Sequence, residues 1–67
     1  MPGHQGSNLK KDERLAPFEK QLHLCVVREG VPVPATFQSR GNAEKVAHRT
    51  GGESYRMPGR PYMIRFP

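Results

Sequence analysis

A chain of 67 residues has room for one small domain, and a hydrophobic share of 34% with seven glycines and seven prolines describes a thin-cored, turn-rich one rather than a helical bundle. A single cysteine, Cys25, excludes an internal disulfide framework and fits a reducing, cytoplasmic setting. No apolar run approaches the ~20 residues of a bilayer span, and no apolar stretch follows a basic start, so neither a membrane nor an exported protein is expected. The net charge of +5 is uneven: residues 1–30 hold five basic and four acidic groups, whereas from Val31 onward Arg40, Lys45, Arg49, Arg56, Arg60 and Arg65 face only Glu44 and Glu53.

Residues 1–16 contain Gly3, Gly6, Ser7, Asn8 and a mixed-charge patch, with little beyond Leu9 and Leu15 to bury. Ordering such a segment costs more entropy than its apolar area returns, which predicts a disordered N-terminal arm and a domain over residues 17–67. Phe18 to Val27 alternates as a strand, with Leu22, Leu24 and Val26 on one side and His23, Cys25 and Val27 on the other. Arg28-Glu29-Gly30 turns it into a second extended run, Val31 to Phe37. There Pro32 and Pro34 delete the N–H donors along a single edge, which predicts an outer strand bonded only through its odd-numbered residues.

Ser39 or Asn42 can cap a helix whose stripe of Ala43, Val46, Ala47 and Thr50 is narrow and small enough to lie close on a sheet. His48 and Arg49 suit its C-terminal dipole, and Gly51-Gly52 stops it. Glu53 to Met57 and Arg60 to Phe66 then form a hairpin through Met57-Pro58-Gly59-Arg60, a type II-like turn. Alternation places Tyr55, Met57, Tyr62, Ile64 and Phe66 under the helix and sends Ser54, Arg56, Met63 and Arg65 to the opposite face. The expected fold is α+β: a small antiparallel or mixed sheet of three to four strands, in β-β-α-β-β order, with one helix on one face.

Arginine forks match phosphate oxygens, so the expected activity is non-enzymatic: a small basic module docking on a polyanion, foremost a nucleic-acid backbone, through Arg40, Lys45, Arg49, Arg56, Arg60, Arg65 and Met63. The aromatics fall mostly at expected core positions, leaving no stacking platform and predicting backbone contacts with steep salt dependence. An acidic protein surface is the alternative partner. A monomer is expected, or a dimer through the usable edge of the proline-bearing strand.

Catalysis, cofactors and metals are not expected. Cys25 sits among Leu24, Val26 and Val27 rather than at an electropositive elbow, Glu44 and Glu53 have nothing to raise either pKa, and His23 with Cys25 makes one ligand pair where a structural zinc needs two. Gly51-Gly52 follows a helix, where the dipole repels phosphate.

In element order alone the chain resembles small phage proteins that dock on a host enzyme and block it, which implies a regulator or inhibitor of a larger protein as the second functional expectation. Phe37-Gln38-Ser39-Arg40 with Asn42-Ala43-Glu44-Lys45 is similar to the strand-into-helix segment of SPOR peptidoglycan-binding domains. That likeness spans about a dozen residues of low specificity, and such domains normally need export, two such units and a longer chain, so it is not adopted.

Overall fold

The computed structural model describes residues 8–67. Its elements run β1 (Glu13–Phe18), β2 (Gln21–Arg28), β3 (Val31–Pro34), α1 (Arg40–Thr50), β4 (Glu53–Tyr55) and β5 (Met63–Phe66). The strands make one five-stranded antiparallel sheet, β1-β2-β5-β4, with β3 also paired to β2. α1 lies on one face. The fold is thus α+β as expected, with one strand more than expected.

That extra strand corrects the boundary of the arm. Residues 1–7 lie outside the described residues, but Leu9 and Leu15 pack on the core, and β1 pairs with β2 from Glu13↔Val26 to Phe18↔Gln21. The segment contributes few apolar groups, yet it acquires a partner that sequence distance hides. Arg49 of α1 grips the Glu13 carboxylate with two N–H···O bonds of 2.9 Å and donates a third, of 2.8 Å, to the Asn8 carbonyl. β1 and β2 are joined by Glu19 and Lys20, both left-handed (φ 51° and 65°), a hairpin turn usually built from Asn and Gly.

β2 organises the sheet because its outer side is shared. Its second half pairs with β3 (Val26↔Val33, Arg28↔Val31) and its first half with β5 (Leu22↔Phe66, His23↔Arg65). Beyond β3, the Ala35 N–H donates to the Leu24 carbonyl at 2.9 Å, so the odd-numbered residues bond inward and Pro32 and Pro34 face outward. The free edge of β3 therefore offers acceptors and no donors. Two copies of that edge cannot hydrogen-bond to each other, and the odd-numbered edge through which a dimer is expected is bonded to β2.

The helix forms where its signals lie. The Ser39 hydroxyl accepts the Asn42 N–H at 3.3 Å, and Gly51 (φ 85°) returns its N–H to the Ala47 carbonyl. Ala43 and Ala47 are fully or nearly buried, and their small side chains bring α1 close above Leu24, Ile64 and Phe66. Gly52 shows how close: a Cβ there would stand 2.6 Å from Ile64 Cγ2 and 2.9 Å from Phe66 Cε2.

The register of the last hairpin differs from the expectation. Tyr55 pairs with Met63 and Ser54 with Ile64, so Ser54 faces the helix and Tyr55 the far side. A three-residue strand carries too little periodicity to set its own face, and the shared far-side neighbours decide it. Tyr55 Oη lies 2.7 Å from His23 Nε2, and the Phe18 ring stands edge-on to the imidazole, with centroids 5.3 Å apart. Since the Gln21 carbonyl 3.0 Å from Nδ1 can only accept, Nδ1 carries a hydrogen and donates to it, while Nε2 is hydrogen-bonded to the Tyr55 hydroxyl. His23 is 2% exposed and fully bonded.

Candidate polyanion-binding site

The connection between β4 and β5 turns where Pro58-Gly59 directs it, with Arg60 N–H donating to the Met57 carbonyl at 3.0 Å and Gly59 at φ 75°. The returning chain is then fixed by Tyr62, which exchanges two 2.9 Å backbone bonds with Phe37. This isolated bridge sets the loop beside the approach to α1. The result is an open hollow of about 350 Å³ lined by Gln38, Arg56, Gly59, Arg60, Pro61 and Tyr62. The Arg56 guanidinium lies over the Tyr62 ring, 5.1 Å from its centroid, a cation–π contact that holds the fork without using its N–H donors. Gln38 sits two residues before the start of α1, whose first turn holds no acidic residue to offset the positive end of its dipole.

The seven residues expected to bind a partner separate into distinct environments. Arg56 and Arg60 share the hollow. Arg56 has no carboxylate within ion-pairing distance among the described residues, and the nearest to Arg60 is that of Glu19, at 3.7 Å. Arg40 is exposed and pairs with Glu44 at 2.9 Å one turn along, a bond that water screens heavily. Lys45 is exposed on the helix.

Three of the seven do not serve the expected surface. Arg49 is committed to Glu13 and so fastens β1 to the helix. Arg65 lies over the Tyr55 ring at 4.4 Å with Nε 3.2 Å from Glu53, on the face away from α1. Met63 is 8% exposed, buried on that same far side, and cannot anchor a partner. The shared basic face of Arg56 and Arg65 does not form. With Tyr55 turned to the far side, the next residue along swings the other way, and Arg56 meets Tyr62 while Arg65 meets Tyr55.

Gln38, Phe37 and Tyr62 were not legible as site residues. The two aromatics occupy apolar alternation positions and look like core, but both remain half-exposed because the bridge joining them lies at the margin of the sheet. Cys25 is buried, and burial pushes its thiol above the ordinary range, away from nucleophilic use. Among the described residues no three His, Cys, Asp or Glu side chains gather as a metal site, and no helix is long and apolar enough to cross a membrane. Comparison with protein-family models, curated proteins and solved structures finds no match.

Proposed function

We propose that this chain is a non-enzymatic binding module that holds the phosphate backbone of a nucleic acid at Arg56 and Arg60. One observation carries this: two guanidinium groups open into a single hollow, Arg56 with no ion-pair partner among the described residues and Arg60 with a loose one, Glu19 at 3.7 Å, while Arg40, Arg49 and Arg65 each have a carboxylate within 3.2 Å. Guanidinium forks bind phosphate oxygens bidentately, Gln38 adds an amide donor, and the nearby start of α1 adds a favourable dipole. The hollow is open and polar at its arginine side, which suits a chain of phosphates passing through rather than an enclosed substrate.

The test is fluorescence anisotropy of a labelled oligonucleotide titrated at several salt concentrations. Affinity should fall linearly on a log–log plot against salt. R56A/R60A should flatten the slope by about 1.4–1.8, the share of two phosphate contacts at ~0.7–0.9 each. R65A should leave the slope within error. An R56A/R60A slope equal to wild type refutes the assignment, and nuclease-resistant capture of one discrete protein would move it to docking on an acidic protein surface.

A further inference from the structure

A second hollow adjoins the first. It encloses about 240 Å³ over a floor of Val26, Val33, Ala35 and Phe37, with Glu13 and Arg28 at its rim. α1 does not cover it, and beside it Val31 and Val33 stand 57% and 39% exposed. The two hollows meet at the Phe37–Tyr62 bridge: Phe37 walls the apolar one and Tyr62 the basic one, and as cross-strand partners their Cβ atoms lie about 5 Å apart. A polyanion passing over Arg56 and Arg60 thus has an apolar recess beside its phosphate track.

Resting on the function proposed above, we infer that the polyanion is single-stranded nucleic acid, with one unstacked base seated in the hollow of Val26, Val33, Ala35 and Phe37. A phosphate and its base are joined through a single sugar, which suits two recesses separated by one strand pair. The base supplies a planar apolar face for Phe37 and the two valines, and its polar edge meets Arg28 at the rim. A duplex offers the same phosphates but keeps its base faces stacked inside, so it fills only the arginine hollow. At 240 Å³ the recess lies below the ~300 Å³ at which sites for whole small-molecule substrates begin, yet it admits a single ring system.

The test uses the full chain and three labelled probes of equal length, about 12 nucleotides: an oligothymidylate, a mixed-sequence duplex, and a strand whose bases are replaced by abasic sites. The oligothymidylate should bind about 5- to 100-fold more tightly than the other two, the range that one base–aromatic contact supplies. F37L and V33Q, checked as folded by thermal melting, should weaken oligothymidylate binding and shrink that ratio toward unity. Equal affinity for all three probes, with R56A/R60A still weakening each, overturns the base recess and leaves the phosphate site standing. Salt-dependent binding to none of them overturns both.

Discussion

Replacing Arg49 by Met tests the claim that a buried ion pair, rather than apolar packing, fastens β1 to the domain. Arg49 makes two 2.9 Å bonds to Glu13, whose Oε1 also accepts the Lys10 N–H at 2.8 Å, and the two side chains are 29% and 10% exposed. Breaking a fully buried pair from one side costs about 3–5 kcal/mol, because the partner charge is left uncompensated. Here water reaches Arg49 and partly resolvates Glu13, so R49M should cost about 2–3 kcal/mol. At ~4–8 °C per kcal/mol in a domain of this size, the melting temperature should fall by roughly 10–20 °C. The Arg49 bonds hold the Glu13 carboxyl below its ordinary value of 4.5, against burial, which opposes them, and with help from the Lys10 amide. A carboxyl whose folded pKa lies below its unfolded one stabilises fully above the unfolded value, and that contribution is lost as pH falls through the folded value. Wild type should therefore keep its stability down to about pH 4.5 and lose it progressively below. R49M leaves the carboxylate buried without its counter-charge, which raises its folded pKa, so its deficit against wild type should narrow as pH falls and Glu13 protonates. K45M, one turn earlier on the exposed surface, serves as the control. Thermal melts followed by circular dichroism across this pH range decide the matter: R49M melting within a few degrees of wild type, with an unshifted acid limb, refutes the reasoning.

Tyr55→Phe should cost about 1–3 kcal/mol in urea denaturation, because it strips the hydrogen-bond partner of a buried His23 nitrogen; loss below ~0.5 kcal/mol would mean the bond contributes nothing. Gly52→Ala should destabilise by about 1–3 kcal/mol by forcing a methyl against Ile64 and Phe66. An unchanged denaturation midpoint would show that the helix lifts from the sheet freely. Lys20→Gly should stabilise by about 1 kcal/mol, since φ 65° penalises a side chain there, and a lower midpoint would show that the turn gains more from the lysine than the backbone loses. Pro32→Thr restores a donor on the outer edge of β3 and should make sedimentation concentration-dependent, where wild type should not associate through that edge.

What could be read from the residues was whatever is encoded locally. Ser39, Gly51 and Pro58-Gly59 each act within a few positions of themselves, and the cap, the helix stop and the turn stand where they were expected. The alternate prolines of β3 likewise fix which edge bonds, whatever the neighbour. What could not be read depends on distant partners. Glu13 looks like solvent-exposed charge until Arg49, 36 positions on, neutralises it. Tyr55 looks like helix-side core until His23, 32 positions back, claims its hydroxyl. The candidate site inherits that second ambiguity: one misassigned residue in β4 moved Arg56 from the company of Arg65 to that of Arg60, and with it the location of the positive hollow.

β5 enters the sheet between β2 and β4 although it comes after both in the chain. During synthesis the β1-β2-β3 meander can assemble early, but the first half of β2 has no partner on its β5 side, and the core around Leu24 is incomplete until Ile64 and Phe66 emerge from the ribosome. Nascent chains halted before Met63 should therefore remain open to proteases, and closure should arrive in one late step rather than growing with length.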